Sequence, residues 1–226
     1  MMGCIVAKTR LTSLVNYSTT CYFYRMDTFS LPALKPSKCC KRSAILDGAK
    51  TVFLREGLGL ATMADVALAA GVGKQTVYRH FKSKEALFVG LVSEMCAQMG
   101  EFLASLHDEQ SNGAPEVELR ELGWRLAQGL ITPGSLELYR AITSEAARLP
   151  ELGQAFYGNG AKVVRSFAAK ILRRRFDEST AALRAATFVQ LVLGDAHLEL
   201  TLGYKVPDVH ARFALQIDEA LGAALR

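Results

Sequence analysis

Between Lys74 and His80 the chain sets six polar side chains in seven positions: Lys74, Gln75, Thr76, Tyr78, Arg79 and His80. Lysine, arginine and hydroxyl side chains donate to phosphate oxygens, and a glutamine can pair with the edge of a base. This is the chemistry of recognition rather than of bond making. Val77 and Phe81, four residues apart, supply the one stripe that a short helix needs to seat itself. The surrounding charge agrees, because residues 38–84 hold nine Lys/Arg against three Asp/Glu, although a basic block is also what an ordinary solvated face looks like. Residues 85–226 are mildly acidic, with fourteen Lys/Arg against eighteen Asp/Glu.

Such a face must be held by the elements before it. Thr62 opens an apolar-periodic run and is followed three residues later by Asp65, the spacing of a capping box, so a helix starts there. Met63, Val66 and Ala67 face a core, Ala69 and Ala70 permit close packing, and Gly71 supplies the positive-φ residue at which the chain turns. The next helix begins within three residues. Two short helices about a glycine turn, the second polar outside, are what a helix-turn-helix requires; a hairpin at a bundle corner is the plainer rival. Ser83 caps a further helix. Lys84 stands in its first turn, where a cation opposes the helix dipole, and a nearby phosphate would account for it.

The rest of the chain predicts an all-α fold. Half of the 226 residues are hydrophobic, and from Lys38 onward apolar residues recur at three and four with almost no strand-like alternation. Glycine and proline breakers divide the chain into helices near 41–56, 62–70, 74–80, 84–108, 116–131, 135–149, 151–176, 178–203 and 208–225. Three segments follow: a flexible arm over 1–37, a helix-turn-helix domain over 38–84, and a helical bundle over 85–226. Residues 1–25 form an extension ahead of Met26 that suggests an over-extended start. The 178–203 helix is apolar over more than one stripe, which leaves a surface for a second subunit.

Several function classes are excluded as expectations. Apolar runs are cut by charge short of a membrane span, and no signal-peptide core is present, so the protein is expected in the cytoplasm without a membrane partner. Five scattered cysteines (Cys4, Cys21, Cys39, Cys40, Cys96) have no CxxC and read as thiols; neither a metal nor a cofactor is expected. No phosphate loop, GxSxG elbow or HExxH motif occurs, so no enzyme is expected. In the bundle, Trp124, Tyr139, Thr143, Phe156 and Phe167 converge on one interior, with Arg140 and His197 as inward polar groups. Most of these read as core, yet together they are the candidate effector site. Arg173, Arg174 and Arg175 read as a solvated helix end.

The segment from about 41 to 92 resembles the DNA-binding domain of the tetracycline-repressor (TetR) family. The resemblance is carried by Ile45, Ala49 and Phe53, the Gly57 to Gly59 turn, Thr62 with Val66 and Ala67, AAGV at 69–72, and VYRHFKSKEAL at 77–87. It implies that Gln75, Thr76, Tyr78 and His80 lie in or beside the major groove, and that Thr62, Lys74, Tyr78 and Lys84 touch phosphates. Gly73 departs from the family, which often has a capping Ser there, with a cost of a few tenths of a kcal/mol. SEAARLPELGQAFYGNGAKVV, residues 144–164, is similar to the C-terminal domain of AefR-like members. The implied function is a homodimeric repressor that binds a near-palindromic DNA operator and is released by a small-molecule effector. A helical DNA-binding protein that acts without an effector is the alternative.

Overall fold

The computed structural model describes residues 41–110 and 113–226; the arm predicted over 1–37 and Cys4, Cys21, Cys39 and Cys40 lie outside them. The described chain is helical, and no strand occurs among the described residues. In order the elements are α1 (Lys41–Leu60), α2 (Met63–Ala69), α3 (Lys74–His80), α4 (Lys84–Gln110), α5 (Pro115–Ile131), α6 (Pro133–Glu145) and α7 (Pro150–Phe156). A π-helical turn (Tyr157–Ala161) follows, then α8 (Lys162–Leu172), α9 (Glu178–Thr201) and α10 (Val209–Leu225).

Three starts are set by proline. α5, α6 and α7 each carry Pro within the first two positions, where the missing N–H is one that the helix would leave unpaired anyway. The structure therefore begins these helices one or two residues earlier than the breaker rule predicts, because a proline that ends one pattern also opens the next.

The single helix predicted over 151–176 is three pieces. Its middle reads YGNGA, and Gly158, Asn159 and Gly160 hold an α-helix poorly, so the turn widens into π geometry. At Gly160 a Cβ would stand 3.1 Å from Cys96 Sγ, which shows how closely this turn approaches α4.

α9 is broken as well, at Gly194 (φ 43, ψ −155), a backbone region open in practice only to glycine. Gln216 of α10 reaches into the break, where its Nε2 donates to the carbonyls of Leu191 (3.4 Å) and Leu193 (3.3 Å). The far end is held too: Arg140 of α6 donates from Nε and Nη2 to the carbonyls of Thr201 and Leu200. A Cβ at position 194 would overlap Gln216 Nε2 at 1.7 Å. Gly194→Ala is thus expected to cost about 1–3 kcal/mol through backbone strain. Thermal unfolding would show it, and an unchanged melting temperature would contradict the break.

Two cores form. The front core gathers Ile45, Leu46, Val52 and Phe53 of α1, Val66 of α2, Val77 of α3, and Phe88 and Leu91 of α4, with Phe53 and Phe88 edge to face at 5.1 Å. It also takes in Leu138 and Ile142 of α6 and Leu152 of α7. The apolar packing of the front unit therefore crosses residue 84. The second core joins α5, α8, α9 and α10 around Leu119, Leu172, Phe188, Phe213 and Ile217.

Lys84–Ala104 of α4 is long and apolar enough to cross a membrane by length and composition, which the charge pattern had not suggested. A third of that stretch is buried inside the fold. Leu87, Phe88, Leu91 and Val92 are buried in the front core and Leu103 in the second.

Candidate nucleic-acid interface and interior cavity

The helix-turn-helix is built by local bonds. Thr62 Oγ1 accepts from the Asp65 amide at 3.2 Å while Asp65 Oδ2 accepts from the Thr62 amide at 3.2 Å, which closes the capping box of α2. Such a cap is worth about 1 kcal/mol. Gly71 takes φ 62, and the Val72 amide returns to the Ala67 carbonyl at 3.0 Å, so the chain turns within four residues. Against α1 the packing is tight. A Cβ at Gly48 would meet Ala70 N at 2.8 Å, so the missing side chain of Gly48 lets α1 approach Ala70, while Ala69 is exposed.

α3 stands on this base through Val77 and Phe81, both buried. Gly73 caps it with backbone only. Lys74, Gln75, Tyr78, Arg79 and His80 are exposed and Thr76 is half-buried, so the outer surface of α3 is polar along its length. Tyr78 is 43% exposed, and Lys74 Nζ lies 6.0 Å from its ring centroid. Thr62 is exposed nearby in sequence at the head of α2.

Lys84 has a local explanation. Its Nζ donates to the carbonyls of Gly59 (2.7 Å) and Ala61 (3.3 Å), so the ammonium closes the end of α1 after the Gly57 kink. These acceptors, 25 and 23 residues away, account for a cation in the first turn of α4 without a phosphate. Ser83 Oγ accepts from the Ala86 amide and caps that helix. Not every cation of the basic block faces outward for a ligand: Arg42 pairs with Glu94 at 3.0 Å and covers the Phe81 ring.

Behind this unit lies a cavity of about 350 Å³, walled by α4, α5, α6, the end of α7, the π turn, α8 and α9. Of the candidate effector residues, Tyr139, Phe156 and His197 line it. Tyr139 stands edge-on to both, at 5.8 Å from Phe156 and 4.7 Å from His197. The other four lie elsewhere, for plain reasons. Trp124 and Phe167 pack into the second core, Arg140 is spent on the carbonyls that end α9, and Thr143 is exposed with its hydroxyl on the Tyr139 and Arg140 carbonyls of its own helix. The wall includes residues outside the sequence candidates, among them Met95, Cys96 and Met99 of α4, Ser135 and Leu138 of α6, Tyr157 and Arg165 beside the π turn, and Gln190 of α9.

Burial tunes two of these groups. It pushes the Cys96 thiol up to about 11, so the sulfur stays protonated and unreactive near neutrality. His197 is 5% exposed and its Nε2 has no partner; burial lowers its pKa below the ordinary 6.5. The folded protein then binds this proton less readily than the unfolded chain does. His197 is thus expected to make stability fall as pH drops below about 6.5, toward its lowered folded pKa. Denaturant unfolding of His197→Phe between pH 7 and 5 should show a shallower decline than the parent. An equal slope would contradict this assignment.

The basic run after α8 is exposed at Arg173, Arg174 and Arg175, as the sequence suggests, and two of the three form ion pairs. Arg174 reaches buried Glu118 of α5 at 3.0 Å and Arg173 pairs with Glu178 at 2.6 Å. Among the described residues no cluster of His, Cys, Asp or Glu suited to a metal occurs.

Residues 45–91 match the model of the bacterial regulatory proteins of the tetR family, and residues 117–226 match that of the AefR-like transcriptional repressor C-terminal domain. The chain belongs to the TetR family. Among curated relatives, the HTH-type transcriptional regulator AlkX of Mycobacterium tuberculosis is 22% identical over 141 residues, 62% of this chain and 64% of that protein. The HTH-type transcriptional repressor KstR2 of Rhodococcus jostii is 33% identical over 78 residues, 33% of this chain and 38% of that protein. The match thus spans less than two thirds of these relatives. Among solved structures, a TetR-family transcriptional regulator from Mesorhizobium loti superposes with a TM-score of 0.74 at 28% identity, covering 82% of this chain and 95% of that one. The flavonoid-responsive regulator FrrA gives 0.61, also at 28% identity, over 82% and 95%.

The family's two-part plan is present here in particular residues. Val92, Leu138 and Ile142 belong to the front core that seats the helix-turn-helix and also line the cavity. Helical spacing does not reveal this shared wall, because a residue that faces two places has the same spacing as one that faces a single core.

Proposed function

We propose that the protein is a homodimeric transcriptional repressor that binds a near-palindromic operator in the cytoplasm and is released when a small molecule occupies the cavity. The observation that carries this reading is the wall common to cavity and front core: Val92, Leu138 and Ile142 cannot adjust to a ligand without disturbing the packing beneath α3. The relatives named as repressors support the polarity.

On DNA, α3 enters the major groove with Gln75, Thr76, Tyr78 and His80 toward base edges, while Thr62, Lys74 and Tyr78 hold phosphates. Lys84 braces the end of α1 and offers its remaining donor capacity to the backbone. Dimerisation uses α9 and α10. Leu183, Leu198 and Leu202 on α9 or its C-terminal cap and Leu215 on α10 are 71%, 55%, 66% and 66% exposed in the single chain, a set of large apolar side chains that a second copy would cover.

The test is titration of an operator, selected from a random duplex pool, across salt concentrations. Lys74→Ala should weaken all sequences alike and reduce the salt slope by about one, because it removes one phosphate contact. Tyr78→Ala should weaken binding and also narrow the gap between operator and unrelated DNA. If Tyr78→Ala left both affinity and discrimination unchanged, α3 would not be the reading element.

A further inference from the structure

Resting on the effector reading above, we propose that the cavity selects an apolar monoanion: a hydrophobic body carrying one carboxylate or equivalent group, with the anion on Arg165 and the body among Met95, Met99, Leu126, Leu138 and Phe156. The cavity wall holds no Asp or Glu, and Arg165 is its single side chain with a permanent charge. The Arg165 Nε is buried without an acceptor, although Nη1 donates to Tyr157 Oη at 3.1 Å. The guanidinium also lies 5.6 Å from the Tyr157 ring centroid, so its plane is held before any ligand arrives. A buried N–H of a guanidinium that lacks an acceptor is costly, and an oxyanion is the partner that removes that cost most fully.

The same wall argues against other classes. A cation would enter beside Arg165 with no carboxylate to compensate it. A polyol would need many partners, whereas the wall is mostly Val, Leu, Ile, Met and Phe with a few polar groups such as Ser135, Gln190 and His197. A polyanion such as a nucleotide would place several charges against one arginine. The second polar anchor is His197, whose Nε2 is buried, unpartnered and on the wall, and it suits a hydroxyl or carbonyl on the apolar body.

The experiment uses the full chain and three probes with one skeleton: biphenyl-4-carboxylate, its primary amide, and biphenyl-4-ylmethylammonium, titrated calorimetrically at constant ionic strength. The carboxylate should bind about tenfold or more tightly than the amide, and the ammonium weakest, since a charge-assisted bond outweighs a neutral one by about that factor. Arg165→Gln should bring the carboxylate down to the amide's level while changing the amide by less than about threefold, a shift within ordinary mutational scatter. If Arg165→Gln fails to fold, the ranking of the three probes on the parent protein decides alone. Equal binding of carboxylate and amide, or tighter binding of the ammonium, overturns the monoanion class and leaves the cavity as an effector site. Binding of none of the three, with no rise in melting temperature, overturns both the class and the cavity's role as effector site.

Discussion

Leu198→Glu combined with Leu215→Glu is expected to convert the protein to a monomer and to weaken operator binding by at least about a hundredfold, because a dimer gains its second half-site at high effective concentration. Both side chains are more than half exposed in the single chain, so the substitution puts charge on the proposed subunit contact and spares the two cores. Four added carboxylates would then crowd the contact about the two-fold axis. Sedimentation at micromolar protein gives the mass, and the operator titration gives the affinity. The fold should survive, with a melting temperature within a few degrees of the parent once dimer stabilisation is allowed for. A double variant that stayed dimeric would remove α9 and α10 from the interface.

The second large effect concerns the coupling of ligand to DNA. Leu138 is 8% exposed, lines the cavity and belongs to the front core. Leu138→Ala should cost about 2–4 kcal/mol of stability, toward the lower end of buried leucine truncations because the site already borders a cavity. Its distinguishing effect is on linkage. In the parent, ligand and operator should weaken each other by one common factor, typically about 5–150, since coupling is reciprocal. In the variant that factor should fall toward one while each binding survives separately. α4 is the other route, as it runs from the braced Lys84 through Met95, Cys96 and Met99 in the cavity wall. Undiminished coupling in Leu138→Ala would assign the signal to α4 alone.

Local chemistry was readable along the chain and distant chemistry was not. The capping box of Thr62 and Asp65, the Gly71 turn, the Val77 and Phe81 seat and the Ser83 cap each depend on residues within four positions, where spacing dictates geometry. Lys84 looked unfavourably placed because its acceptors at Gly59 and Ala61 are far back in sequence. Arg140 looked like an inward polar group of a ligand site, and only the fold shows it closing the end of α9, 60 residues on. The break in α9 had a signal, a glycine within an apolar run, but periodicity carries through Gly194 because the register resumes beyond it. The cavity was the least legible part. Met95, Met99 and Val164 follow the same three-and-four spacing as Trp124 and Phe167, and a void differs from a core only in what the opposing helices fail to fill.

Two copies of α3 are expected to read DNA together. Selection of bound sequences from a random duplex pool by the intact protein, followed by sedimentation of the chosen duplex with protein, tests this most directly. The expected outcome is an enriched near-palindrome whose half-sites lie about one helical turn apart or somewhat more, bound by two chains or a multiple of two. Recovery of no enriched sequence, or of a single asymmetric site bound by one chain, would contradict it.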